Sequence, residues 1–130
     1  MTVQDVYDSA LRFIGESTVD GDNDDYEERA PYIVAAFCAE VEATDRAIRK
    51  LQGKNEENSF SQVYLAFDNE FPLLEIFYTP AALYLAAMLV IDFDAELYDK
   101  LFERYCDSIS SVVAGVSGVS EKIRNAYFND

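Results

Sequence analysis

The sequence contains no histidine and no tryptophan, and only two of its 130 residues are cysteine. Without histidine, neither a Ser–His–Asp nor a Cys–His arrangement can be built, and acid–base chemistry near neutral pH would need a strongly perturbed carboxyl group. Cys38 and Cys106 lie far apart and form no Cys-x-x-Cys pair, so a zinc site lacks its usual ligands. These absences predict a protein that is not an enzyme, with no catalytic residue, no cofactor and no metal site.

Basic residues are also scarce, since ten Lys and Arg stand against 25 Asp and Glu, for a formal net charge of −15. Such a charge repels DNA phosphates and anionic lipid. The most apolar run, residues 81–91, is far shorter than the roughly 20 residues that cross a bilayer. We expect neither specific DNA binding nor a membrane partner. The charge then indicates solubility at high concentration, a lining past which DNA slides, or imitation of DNA.

Glycine is sparse and forms no phosphate-binding pattern, because neither Gly115 nor Gly118 precedes a Lys-Ser/Thr pair. Asp20, Asp22 and Asp24 alternate as in a calcium loop, yet the required glycine and the closing glutamate are missing. These carboxylates are predicted to cap the next helix and to solvate the loop.

Half of the residues are hydrophobic, and they recur at helical spacing in four segments. A chain of this length buries roughly two-thirds of its unfolded surface, which suits one domain that needs no disulfide. The segment that is small or apolar on nearly every face should be the central helix of the bundle. The predicted helices cover residues 3–14, 26–51, 81–93 and a stretch that follows Asp94 and includes Val112.

Residues 53–79 break the helical rhythm. Val63, Leu65 and Phe67 alternate with less apolar neighbours, the period of a short strand, whereas residues 75–78 fit either a second strand or a helical turn. After Val112, residues 114–118 are predicted to form a hinge before a last short helix. The predicted fold is all-α: a small bundle of four main helices, a long irregular loop with room for a β-hairpin, and a short C-terminal helix. The bundle takes residues 1–113 and a flexible C-terminal segment takes residues 114–130.

From Asp68 onward the sequence is similar to a known family. The segment that carries the similarity includes an acidic turn with proline, an apolar helix and the start of the next helix. The order of elements before it agrees: an N-terminal helix, an acidic loop and a long second helix. The matching residues are Asp68-Asn69-Glu70-Phe71-Pro72-Leu73, residues 79–89, residues 92–97 and Phe102-Glu103-Arg104-Tyr105. Over residues 3–105 the chain resembles the head–tail connector (head-completion or neck adaptor) proteins of long-tailed phages.

The resemblance implies a structural protein of a phage or prophage, which assembles as a ring on the portal and extends the DNA channel. Its partners would be the portal protein, tail or neck proteins and further copies of itself, with DNA passing unbound. It would reside in the bacterial host cytoplasm before assembly and in the virion neck afterwards. Two other functions fit the composition: an acidic DNA mimic that inhibits a DNA-binding protein, and a helical adaptor that binds a protein partner.

Two groups of residues are predicted to contact partners. The basic residues at the end of the second helix are Arg46, Arg49 and Lys50, which would otherwise stabilise the helix C-terminus. The second group consists of aromatic residues that the bundle faces do not obviously need, in residues 53–79 and after Gly115. Its members are Phe60, Tyr64, Phe67, Phe71, Phe77, Tyr127 and Phe128.

Overall fold

The computed structural model describes residues 1–15, 23–53 and 60–127, with side chains described as far as Gly115. These residues form four α-helices and one short 3-10 turn, Glu75–Phe77. They contain no β-strand, and an isolated antiparallel bridge joins Thr2 to Glu70. The all-α class and the four main helices are therefore confirmed. The helices are α1, Val3–Ile14; α2, Asp24–Leu51; α3, Tyr78–Val90; and α4, Ala95–Tyr127.

Helix α1 begins and ends where its sequence predicts. The Thr2 hydroxyl accepts a hydrogen bond from the amide of Asp5, and the Asp5 carboxylate accepts one from the amide of Thr2 at 2.8 Å. This reciprocal pair satisfies two amides that have no partner inside a helix. Gly15 takes the left-handed conformation, with φ of 90°, and its amide donates to the carbonyl of Leu11. A left-handed glycine is a common end of a helix because it carries no Cβ.

Helix α3 lies at the centre of the bundle and packs against α1, α2 and α4. It begins at Tyr78, three residues before the predicted start. The predicted central position is confirmed, because Leu85, Ala86 and Leu89 have no solvent exposure at all. Asp94 directly precedes α4 and caps it, since its carboxylate accepts a hydrogen bond from the amide of Leu97 at 3.0 Å.

Helix α4 continues as one helix to Tyr127 and is about 50 Å long at 1.5 Å per residue. The predicted hinge at residues 114–118 and the separate short helix after it are therefore wrong, and α4 crosses the predicted boundary at residue 113. Gly115 and Gly118 each disfavour a helix by only about 1 kcal/mol relative to alanine. The apolar spacing on both sides of them is helical, so the glycines do not end the element.

Residues 60–77 form an irregular segment that contacts α2 at Pro31 and again at Asp45 and reaches the N-terminus of α1. The amide of Val3 donates to Asn69 O at 3.0 Å, and the amide of Phe71 donates to Met1 O at 2.9 Å. The strand predicted over residues 63–67, and any hairpin, are absent from the described residues. The backbone there bonds to the N-terminus of α1 and, from Leu65, to Pro31 O in α2 instead of to a second strand. Residues 75–77 take the helical alternative.

Candidate interaction surfaces

The basic end of α2 contains a buried carboxylate that holds the bundle together. Asp45 is 1% exposed and accepts hydrogen bonds from Arg49 Nε and from the amide of Leu74, both at 2.8 Å. Arg49 Nη2 also donates to Pro72 O at 3.2 Å. Charged pairs are retained in a protein interior when further hydrogen bonds satisfy both partners, as they do here. The guanidinium of Arg49 therefore joins α2 to the irregular segment and is not available as a docking group.

The other two predicted basic residues face solvent. Arg46 lies 3.8 Å from the carboxylate of Glu42 and its side chain is 45% exposed, while Lys50 is exposed. The predicted basic patch is thus reduced to Arg46 and Lys50. The role of Asp45 escaped the sequence analysis, although its i, i+4 spacing from Arg49 is the pattern of a helical ion pair.

The predicted aromatic residues divide by burial. Phe77 is fully buried and Phe71 is 8% exposed, so the premise that the bundle does not need them is wrong. Phe60 and Phe67 are half-buried against the core, and the Phe67 ring lies 5.0 Å from that of Tyr7. Of the five aromatic residues placed between residues 60 and 77, Tyr64 is the one that is exposed, at 47%.

The last two predicted interface residues lie at the end of the chain. Helix α4 includes the backbone of Tyr127, but the side chain of Tyr127 and all of Phe128 lie outside the described residues. Their predicted contacts stay predictions.

Tyr64 belongs to an exposed apolar surface, which we name the tyrosine patch and define as Tyr32, Val63 and Tyr64. The exposed fractions of these residues are 55%, 78% and 47%. The rings of Tyr32 and Tyr64 meet edge to face, with centroids 5.0 Å apart, the geometry that aromatic quadrupoles favour. Tyr32 was not singled out from the sequence, and Val63 was interpreted only as part of a predicted strand.

Tyr32 also lines a groove of about 390 Å³ between α2 and α3, which we name the α2/α3 groove. Tyr84 and Met88 form its α3 wall, and between Pro80 and Val90 they are the two residues that are not buried. The groove is mostly apolar, a common property of binding sites. The sequence analysis did not find it. Its lining residues are Arg29, Tyr32, Ile33, Ala36, Tyr84 and Met88.

Arg29 closes one end of the α2/α3 groove. Its Nη2 donates to Leu89 O at 2.8 Å and its Nη1 to Met88 O at 3.4 Å, and the same side chain pairs with Asp25 at 3.0 Å. The carbonyls in the last turn of a helix lack partners within it and carry partial negative charge. Arg29 therefore caps α3 and joins it to the first turns of α2.

The titratable groups near the groove do not resemble catalytic groups. Burial raises the pKa of Tyr84, and the nearby carboxylate of Glu40 raises it further. Burial, again with Glu40, raises the pKa of Tyr105 to about 12. Burial also raises the pKa of the Cys38 thiol to about 12, so this thiol is a poor nucleophile at neutral pH. The raised pKa values keep the hydroxyls of Tyr84 and Tyr105 neutral near pH 7.

Within residues 1–15, 23–53 and 60–115, no three or more Cys, Asp and Glu side chains lie close enough to hold a metal ion. Asp20 and Asp22 of the alternating aspartates lie outside the described residues, while Asp24 is the first residue of α2. None of the described helices is both long enough and apolar enough to cross a membrane.

The chain matches no protein-family model, no curated protein and no solved structure.

Proposed function

We propose that this chain is a structural subunit of a phage or prophage head–tail connector, which assembles as a ring on the portal and extends the DNA channel. The proposal begins from the resemblance of residues 3–105 to the connector proteins of long-tailed phages. Three features support it: the way the matching turn is used, the open apolar surfaces and the net charge.

The use of the matching acidic-Pro turn is the observation that carries the proposal most. Asn69 and Phe71 bond to the first residues of the chain, and Pro72 and Leu74 bond to Arg49 and Asp45 near the end of α2. The matching turn and the adjacent Leu74 therefore join the start of α1 to the last turns of α2. A similarity located in such a junction supports a shared architecture better than a similarity of exposed residues would.

The distribution of polar and apolar surface suits a ring subunit. The chain has a net charge of −15, yet it leaves the tyrosine patch and the α2/α3 groove open. An exposed apolar surface on a charged protein commonly marks a protein contact. An acidic channel wall lets DNA pass because it does not hold the phosphates.

The test is assembly with the portal protein encoded in the same phage genome. Sedimentation velocity and electron microscopy should show a ring of this chain bound to the portal at moderate salt, which screens repulsion between acidic subunits over about 8 Å. Tyr64→Ser combined with Val63→Ser should weaken the complex, because it removes apolar surface from the tyrosine patch. Both residues are exposed, so we expect the fold to be retained. A chain that never sediments with the portal, at low or moderate salt, would overturn the proposal.

The DNA-mimic alternative rests on the same negative charge but fits the structure less well. A mimic needs carboxylates spaced along an open face like phosphates, whereas many acids here serve local roles. Asp5 and Asp94 cap helices, Asp25 pairs with Arg29, and Asp45 is buried. Displacement of DNA from a host DNA-binding protein by the purified chain, without portal binding, would favour the mimic.

A further inference from the structure

Helix α3 has one uncovered side. Its sequence is small or apolar at nearly every position, and a helix of this kind is normally buried all round. Helices α1, α2 and α4 cover most of it, but Met88 stays only half-buried beside the exposed Ala36 of α2. Tyr84 is also half-buried there, although its ring packs against Phe37 and Tyr105. The α2/α3 groove thus has the position that one more helix would fill.

The last described side chains of helix α4 are exposed. We name residues 113–127 of α4 the α4 arm. Val113 is 45% exposed, Ala114 is exposed, and a Cβ placed on Gly115 would meet no atom within 4 Å. Three consecutive residues of α4 are therefore exposed, and the backbone continues as a helix to Tyr127.

The sequence of the α4 arm carries an apolar repeat. Starting from Val112, which packs against the core, apolar residues recur every three or four positions, the spacing of one helical face. The arm also contains two glycines and several serines and valines, which are weak helix formers. A short helix of this composition is stabilised mainly by packing against a partner. The repeat consists of Val116, Val119, Ile123 and Tyr127.

The charges of the α4 arm and the groove are complementary. The arm contains Lys122 and Arg124 against one acid, Glu121, in a chain that is otherwise strongly acidic. The α2 surface beside the groove carries the exposed carboxylates of Asp25, Glu28 and Glu40. Opposite charges on two apolar surfaces steer their association and oppose other pairings.

The α4 arm and the groove lie at opposite ends of one subunit. Helices α3 and α4 are joined by residues 91–94, and a connection this short makes them antiparallel neighbours. Met88 lies close to that connection, whereas the arm starts about 27 Å along α4 from Ala95. An arm that enters the groove of a neighbour therefore forms a head-to-tail contact, and such contacts propagate into rings or filaments.

We infer that the α4 arm of one copy docks in the α2/α3 groove of the next copy. The inference rests on the proposed function, because it identifies the contact through which the subunits of the ring would join. The arm supplies the apolar repeat, the groove supplies Tyr84, Met88 and Ala36, and the positive charges of Lys122 and Arg124 complement the acidic surface of α2.

One variant blocks the groove and another disables the arm. Ala36→Arg fills the groove with a charged side chain at an exposed position, and Ala47→Arg, also exposed on α2 but outside the groove, is its control. Ile123→Asp interrupts the arm repeat. Its control is Asn125→Asp, which adds the same charge about 180° from the centre of the repeat at 100° per residue. Circular dichroism should show that all four variants keep the helical fold.

The measurement is self-association of the full chain without portal, by analytical ultracentrifugation across protein concentration at moderate salt. The wild-type chain and both controls should associate beyond dimers, while Ala36→Arg and Ile123→Asp should each weaken association by at least about tenfold. Mixing the two disabled variants should restore one contact only, between the intact arm of one and the intact groove of the other. The mixture should therefore stop at a one-to-one dimer.

Three results would overturn the inference. Loss of association in Ile123→Asp but not in Ala36→Arg would indicate arms that pair with each other. If a variant and its control weakened association equally, the added charge and not its position would be the cause. A wild-type chain that stays monomeric at every concentration would show that no second copy enters the groove. Portal binding is measured separately, so a chain that self-associates as expected but ignores the portal would refute the proposed function and leave this contact standing.

Discussion

Two sides of helix α3 have nearly the same chemistry and different surroundings. On one side Leu85 and Leu89 have no exposure, because the neighbouring helices cover them. On the other side Tyr84 and Met88 are half-buried along the α2/α3 groove, although the Tyr84 ring also packs against Phe37 and Tyr105. The comparison teaches that an apolar position on a central helix is a core position only where another element reaches it. The uncovered side is where a partner adds the most buried surface.

The largest effect should come from a charge on the covered side. Leu85→Asp buries a carboxylate without a partner, which we expect to cost several kcal/mol and to lower the thermal midpoint strongly or unfold the protein. Thermal denaturation followed by circular dichroism measures it. Leu85→Ala, which should cost about 2–5 kcal/mol, keeps the test informative if the charged variant does not fold. An unchanged midpoint would mean that α3 is not the centre of the bundle.

The buried ion pair should rank next. Asp45→Ala leaves Arg49 without its partner and the amide of Leu74 without an acceptor, so we expect a loss of about 3 kcal/mol in the free energy of unfolding. Glu96→Ala is the control, because the Glu96–Lys100 pair is largely exposed and such pairs contribute less than about 1 kcal/mol. Urea denaturation compares the two. Equal losses would contradict the structural role of Asp45.

The cap of α1 should have a smaller effect that depends on pH. Thr2→Ala should cost about 1 kcal/mol. The backbone amide of Thr2 lowers the pKa of Asp5 below its ordinary value of 3.8. Because the folded pKa is the lower one, the ionised carboxylate stabilises the fold above pH 3.8, and that stabilisation is lost as the pH falls through the folded pKa. Asp5→Asn should remove this contribution to the acid dependence of unfolding. If the stability of Asp5→Asn fell with decreasing pH as that of the wild-type chain does, the assigned role of Asp5 would be contradicted.

The smallest effect on stability should come from the uncovered side of α3. Met88→Gln keeps the length and helix propensity of the side chain, so the free energy of unfolding should fall by less than about 1 kcal/mol. Self-association should weaken in the same variant, because the groove wall becomes polar. A loss of stability as large as that of Leu85→Ala would show that this side of α3 is core, and the distinction between the two sides would fail.

The sequence predicted the elements whose signals are local. The capping residues Thr2 and Asp5 and the terminal Gly15 set the bounds of α1, and the lack of polar residues identified α3 as central. The predicted strand over residues 63–67 was wrong. Alternation of apolar residues predicts only which side chains are buried, and here Leu65 is buried while Val63 faces solvent. The described residues contain no strand with which this segment could pair. The predicted hinge was wrong because the cost of two glycines is small in a helix that is continuous on both sides.

The candidate surfaces were predicted less well than the fold. Arg49 looked available because its contact with Pro72 and the burial of its partner Asp45 depend on the path of a segment that the sequence left irregular. Phe71 and Phe77 looked unneeded because the same path brings them into the core. Among the predicted aromatic residues whose side chains are described, Tyr64 is the exposed one. The ring that it contacts belongs to Tyr32 in α2, which is distant in sequence.

The sequence by itself determined the helical class, the ends of α1, the central position of α3 and the strong negative charge. Spacing, capping and composition act within a few residues of one another, and they do not depend on the rest of the fold. Tertiary structure alone decided which side of α3 stays open, where the groove lies and that the Asp45 carboxylate is buried. A helix that is apolar on every side contains no signal for its uncovered face. Which face stays uncovered depends on where the neighbouring helices pack against α3.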